Sequence, residues 1–421
     1  MELGDLPYDC LSCIFDCIPD LKSLLDLSTV CKEWNILAKQ RLNKIRHLHV
    51  ERDIESDLAA SPNHLYTNDV GLMERVNVSK MFPNLKFFTK EYTLEDICTC
   101  KMLVNVLSTS KPLTGLICEA PCLAAGPMTI DFCCHIDIDD IVKHCGSLEY
   151  LDSMYRPFLG SYFLKFKFGQ NVKYFEGSIE GYDDDEEDKD YDFMFKQIYL
   201  LCYYLKQMPN LEVLHLKEPP IEPRLWPLPK NMKLKQIDFD NITIKTLAFQ
   251  FLSRFPNLRS VSFSIRPVRD EDEIFEVSNT YPNIQDCAFY IEGINQNLPV
   301  GSFKLIKSLM VKFPNCTNLC IHLLRNTAIT DEDLTEIIKM LPNLTLLVLN
   351  IKNWGDANIT IETIDKFCQS IGRRISFYLL RDDRRWNRTA WTGSFTRYTL
   401  NEDVTNHLKT DNKFIRSFFR C

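Results

Sequence analysis

What most constrains this chain is a phrase that keeps returning. An apolar residue, Pro-Asn, and a further apolar residue stand at Phe82-Pro83-Asn84-Leu85, Met208-Pro209-Asn210-Leu211 and Phe255-Pro256-Asn257-Leu258. They recur at Tyr281-Pro282-Asn283-Ile284, Phe313-Pro314-Asn315-Cys316 and Leu341-Pro342-Asn343-Leu344. Apolar residues follow three and usually five positions on, as in Leu211, Leu214, Leu216 or Leu344, Leu347, Leu349. Weaker copies without Pro-Asn begin at Ile45, Leu113, Leu148, Val172, Leu234 and Ile375. Successive starts are 23 to 40 residues apart, the spacing of stacked supersecondary repeats. Pro-Asn ends a helix and turns the chain, and the apolar phrase predicts a short strand with alternate side chains inward. Amphipathic helices are predicted between phrases: Ile244, Leu247, Ala248, Phe251, Leu252 and Phe255; then Leu334, Ile337, Ile338 and Leu341; then Ile364, Phe367 and Ile371, stopped by Gly372. One strand and one helix cannot cover their own apolar faces, so neighbours must stack. The expectation is an irregular α/β solenoid of about 12 repeats over residues 46–421.

This region resembles the leucine-rich repeats with a helical convex side, which implies parallel strands on the concave face. The asparagine that family carries three residues after its last leucine is absent; Pro219, Ile242, Arg266, Leu324 and Lys352 stand there. Residues 51–80 show little period and read as an insert or loop. Seven acids and one lysine from Asp183 to Asp190 predict a solvated, disordered loop near 182–190. Residues 381–412 are polar and read as a terminal repeat with loops.

The first 45 residues have a different pattern. Leu11, Ile14, Phe15 and Ile18 fall at i, i+3, i+4 and i+7 of a helix that Pro7 opens. Pro19 breaks it, Asp20 caps a second helix, and Ser28 or Thr29 caps a third carrying Val30, Trp34, Leu37 and Ala38. Cys10, Cys13 and Cys17 widen the first apolar arc beyond what some 40 residues can bury internally. A surplus of that kind marks a protein-binding face. The stretch resembles an F-box at Leu6, Pro7, Leu11, Ile14, Phe15, Ile18, Leu25, Val30, Cys31, Lys32 and Trp34. The resemblance implies docking onto the Skp-type adaptor of a Skp–cullin–F-box ubiquitin ligase, with Leu6, Pro7, Leu11, Ile14, Phe15, Ile18, Leu25, Val30, Cys31 and Trp34 in contact and a cullin scaffold reached through the adaptor.

In the repeats, residues alternating with the inward leucines are expected to form an open substrate face. Tyr150, Tyr174, His215, Tyr290, His322, Phe377 and Arg381 are the candidates, with Asp152, Glu176 and Asp238 among their neighbours. Arg384, Arg385 and Trp386 extend it into a basic, aromatic stretch that also holds Arg373 and Arg374, residue types that dominate interface energetics. The net charge of −8 disfavours a general nucleic-acid binder. Seventeen scattered cysteines and no signal peptide or long apolar run predict reduced thiols, a cytoplasmic or nuclear protein and no membrane partner. Cys98, Cys100, Cys118, Cys122, Cys133, Cys134 and His135 lack paired zinc spacing, and no phosphate loop or nucleophile elbow is present. Neither cofactor nor catalysis is expected. The reading is a non-enzymatic substrate receptor of the ligase. A scaffold outside any ligase would use the same surfaces, a secreted receptor would need a signal and disulfides, and a small-molecule sensor would need a basic pocket.

Overall fold

The computed structural model describes residues 6–50, 62–91, 99–119, 143–153, 169–178, 205–217, 232–243, 249, 252–266, 279–291, 301–323, 329–351, 361–381 and 395–398. They fall in two compact units, Met1–Ser178 with Leu200–Leu211, and Ile179–Tyr199 with Glu212–Cys421.

The first unit opens with α1 (Tyr8–Asp16), α2 (Leu21–Ser28) and α3 (Lys32–Lys44). Pro7 stands just outside α1, and its carbonyl accepts from the Leu11 amide. Asp20 caps α2, its Oδ2 accepting from the Ser23 amide at 2.6 Å. The expected cap of α3 is wrong. Ser28 and Thr29 donate back to the Leu25 and Asp26 carbonyls and close α2. Cys31 takes the cap instead, its Sγ accepting from the Trp34 amide at 3.4 Å.

Six parallel strands follow: β1 (His47–Val50), β2 (His64–Thr67), β3 (Phe87–Glu91), β4 (Gly115–Glu119), β5 (Tyr150–Ser153) and β6 (Tyr174–Ser178), in the order β2-β1-β3-β4-β5-β6. The stretch 51–80 is therefore not simply an insert. It supplies β2, α4 (Val70–Arg75) and α5 (Val78–Met81), the helices capped by Asp69 and Asn77. A further helix, α6 (Thr99–Thr109), precedes β4.

Seven parallel strands build the second unit: β7 (Val213–Lys217), β8 (Gln236–Thr243), β9 (Ser260–Arg266), β10 (Asp286–Ile291), β11 (Asn318–Leu323), β12 (Leu346–Ile351) and β13 (Ser376–Arg381). A bulge between Phe239 and Ile242 bends β8. The helices α7 (Gly301–Met310), α8 (Asp331–Met340) and α9 (Ile361–Ser370) alternate with the later strands, and antiparallel β14 (Phe395–Tyr398) pairs with β13. Gly372, at φ 66°, lets the Arg373 amide reach back to the Cys368 carbonyl and stops α9 as its sequence predicts. The acidic run 183–190 and most of the helix predicted over 244–255 lie outside the described residues.

Register confirms the +3 position of eleven of the twelve repeat phrases. In the first unit Leu65, Leu48, Phe88, Leu116, Leu151 and Phe175 align across the strands, all buried. In the second, Leu214, Ile237, Val261, Cys287, Leu319 and Leu347 do the same. Each large side chain so buried stabilises by about 1.5–3 kcal/mol. The last phrase is read one residue out. Phe377 pairs with Leu347 and is buried on the leucine face, so it does not belong to the substrate face. A shift of one residue moves a whole strand's side chains to the other side.

Between repeats runs a ladder of asparagines. Five asparagines that stand just before a phrase start donate to a carbonyl of the preceding repeat: Asn84 to Asn43, Asn171 to Gly146, Asn210 to Gln170, Asn283 to Pro256 and Asn315 to Pro282, at 2.7–3.0 Å. The asparagine missing after the strands thus has a counterpart before them. The Pro-Asn phrase is a turn and an inter-repeat staple together.

Candidate functional surfaces

The helical bundle closes its own core with Leu11, Phe15, Leu21, Leu24, Leu37 and Ala38, each at most 5% exposed. Phe15 meets Trp34 edge to face at 5.8 Å. Leu11 and Phe15 therefore hold the helices together and do not present themselves to a partner in this chain. Behind the bundle, the Arg41 guanidinium is 1% exposed and donates to the carbonyls of Pro62, His64 and Ile18. The Tyr66 amide donates to Pro19 at 2.8 Å. These bonds fasten the bundle to β2.

Other apolar groups of the bundle remain in water. Tyr8, Ile14, Val30 and Ile36 are 49%, 39%, 61% and 52% exposed. Pro7, Cys10, Cys13, Cys17 and Cys31 are exposed as well, while Leu6, Ile18, Leu25 and Trp34 are half-buried. Sequence reasoning missed Tyr8 and Ile36 because each stands off the main apolar stripe of its helix.

The comparisons bear on this segment. An F-box-like family model matches residues 3–44. Residues 3–44 form an F-box-like domain. A search of curated proteins finds no match to the chain. Such domains are typically non-catalytic adaptor modules, and the parallel repeat sheet that follows is compatible with that organisation.

The strand face opposite the leucines differs between the units. In the first, rings stack from strand to strand. His64 and His47 lie 4.2 Å apart at 4°, His47 and Phe87 4.8 Å at 2°, and Tyr150 and Tyr174 4.1 Å at 6°. Gly115 occupies the gap on β4, and a Cβ there would meet the Phe87 ring at 2.1 Å. Only glycine lets Phe87 lean across and touch Tyr150 edge to face. Beside this column His49 stacks on Tyr66 at 4.7 Å and shares a 3.1 Å hydrogen bond with His64. Burial, then the neighbouring His47, His49 and Arg41, push the His64 pKa down to about 3. None of these histidines was singled out in the sequence, although His64-Leu65-Tyr66 repeats the alternation of His47-Leu48-His49.

Tyr150 and Tyr174 thus come together, half-buried, next to Asp152 and Glu176, which pair across β5 and β6. The Tyr174 hydroxyl donates to Glu176 at 2.8 Å. Asp152 and Glu176 are each 8% exposed, so this part of the face is not open in the way its pattern suggests. In the second unit His215 and His322 are 7% and 5% exposed. His215 pairs in register with Asp238, and Tyr290 packs at 5.3 Å from His322. Asp286 accepts from Ser260 and Asn318 at 2.7 and 2.6 Å. Arg373 leaves the basic stretch altogether. It donates to the carbonyls of Ile338, Leu341 and Leu344 at 2.6–2.9 Å and ties the end of α8 to the next strand. Arg381 ends β13; Arg384, Arg385 and Trp386 lie outside the described residues. No group of three or more His, Cys, Asp or Glu among the described residues is arranged to hold a metal ion, and no described helix is long and apolar enough to cross a membrane.

Proposed function

We propose that the F-box-like domain docks this chain onto a Skp-type adaptor and, through it, onto a cullin scaffold, and that the repeats hold a protein substrate for ubiquitin transfer. One observation carries the reading. The bundle has already closed its core, yet Ile14, Val30 and Ile36 stay in water. Exposed apolar groups gathered on so small a bundle are stabilised by a protein that covers them. Leu6, Pro7, Ile18, Leu25, Cys31 and Trp34 complete the docking surface in this reading; Leu11 and Phe15 support it from inside. The chain's contribution to rate is placement, since holding a substrate beside the ubiquitin-loaded enzyme raises its effective concentration. The ringed strand face around Tyr150 and Tyr174 is the substrate surface in this reading, with a cytoplasmic or nuclear home for its free thiols.

The test is co-purification of the full chain with the adaptor and a cullin. Ile14→Glu with Val30→Glu removes about 2 kcal/mol or more of docking, about thirtyfold in affinity, and leaves the helical circular dichroism unchanged. Phe15→Glu melts the bundle instead. Undiminished binding by the Ile14/Val30 variant overturns the docking assignment. Cullin missing from the purified complex overturns the ligase role.

A further inference from the structure

The described cysteines divide sharply by place. Cys145, Cys287, Cys316, Cys320 and Cys368 of the repeats are buried; Cys10, Cys13, Cys17 and Cys31 of the bundle are exposed, and all are free. Burial pushes Cys145 up to about 12 and raises Cys287, Cys320 and Cys368, which withholds those thiols from thiolate chemistry. The exposed ones are concentrated on a single helix. Cys10 and Cys13 of α1 and Cys17, its C-cap in helical conformation, stand at i, i+3 and i+7, one stripe of a 3.6-residue period. Ile14, at i+4 from Cys10, lies within that stripe, while Leu11 and Phe15 occupy the buried arc. Three thiols therefore frame the exposed isoleucine of the docking face.

In the thiol state these side chains behave as small hydrophobes and suit an apolar interface. Carrying a charged adduct, each would set polar bulk where the partner must close on Ile14.

We propose that α1 carries a thiol-modification site, at which mixed-disulfide formation on Cys10, Cys13 and Cys17 blocks adaptor docking and reduction restores it. This rests on the docking reading above. The step is a thiol–disulfide exchange with a low-molecular-weight disulfide. The cysteine sulfur, having given up its proton, attacks one sulfur of the disulfide. A protein–S–S bond forms, the original S–S bond breaks, and the leaving thiolate takes up the proton. A second thiol runs the same exchange in reverse, so no other oxidant or reductant is required.

The experiment treats the full chain with oxidised glutathione, reads adducts on the peptide spanning residues 10–17 by mass spectrometry, and measures affinity for the adaptor. Treated wild-type chain binds at least about tenfold more weakly, recovers with dithiothreitol, and keeps its helical circular dichroism. In a C31S background, which removes the other exposed thiol of the docking surface, the C10S/C13S/C17S chain changes by less than about threefold on the same treatment. Full binding by a wild-type chain whose α1 peptide carries the adducts overturns the inference alone. So does an α1 peptide that acquires none, or equal loss in the triple variant. An untreated chain that fails to bind the adaptor overturns the docking reading and this inference with it.

Discussion

Cys31 closes the amino end of α3 with a sulfur, a weak acceptor, where a hydroxyl bonds more strongly. Cys31→Ser is expected to raise stability by up to about 1 kcal/mol, seen as a higher midpoint in urea denaturation. A lowered midpoint would mean that the sulfur makes packing contacts beyond the cap. His64 gives the opposite kind of sensitivity. Its pKa in the folded chain, about 3, lies below the ordinary value near 6.5. Below pH 6.5 the unfolded chain therefore binds the extra proton. The contribution of this ring is fully present above pH 6.5 and is lost as pH falls toward 3. The slope is at most about 1.4 kcal/mol per pH unit, reduced by solvent screening because the ring keeps some contact with water. His64→Phe retains a ring for the stack on His47 and should flatten the fall in melting temperature between pH 7 and pH 5. An unchanged pH slope in that variant would assign the effect to another group.

At the scale of the element, the repeats are held by strand register and by the staples between them. Asn315→Ala frees the Pro282 carbonyl at an exposed turn and costs about 0.5–1.5 kcal/mol. Arg373→Met removes a charged donor from three carbonyls at once and costs more, about 3 kcal/mol. Chemical denaturation of the two variants should preserve that order, and a reversal would mean that the α8 staple is redundant. These elements also show what the sequence could carry. Leu48, Phe88, Leu151 and Leu319 were legible because a buried strand core imposes its period directly on side-chain polarity. β2 was not, since its Pro62-Asn63 follows Ser61 instead of an apolar residue and stands two residues before the inward Leu65, where the other phrases place four. Phe377 was assigned to the wrong face because the phrase was aligned on Ile375, while the strand's register follows hydrogen bonds to β12. In the bundle, periodicity identified the helices and their apolar surplus. It could not tell the arc of Leu11 and Phe15, which faces inward, from the neighbouring arc of Ile14, because both are apolar. Arg373 read as a surface cation because its carbonyl partners are about thirty residues away in the chain.

At the scale of the molecule, the first unit joins its helical bundle and its first strands through one buried cation. Arg41 reaches from α3 to the carbonyls of Pro62 and His64 on the sheet side and Ile18 on the helical side. Beside it the Tyr66 amide bonds to Pro19, and α3 adds Asn43, whose carbonyl receives Asn84. A bundle fixed this way is the terminal layer of the repeat stack, not a bead on a linker. Its helices and β1–β2 should therefore open as one cooperative segment. Arg41→Met keeps most of the aliphatic volume but leaves the carbonyls without their donor, at a cost of about 3 kcal/mol. Hydrogen exchange in the full chain should then show amides of residues 8–44 and those of β1 and β2 losing protection by the same free energy. Loss confined to the helices would mean that the bundle folds independently of the sheet. Equal loss would mean that the open face of α1 and the ringed face of the first strands belong to one rigid layer, whose stability sets how firmly anything held on either face is positioned.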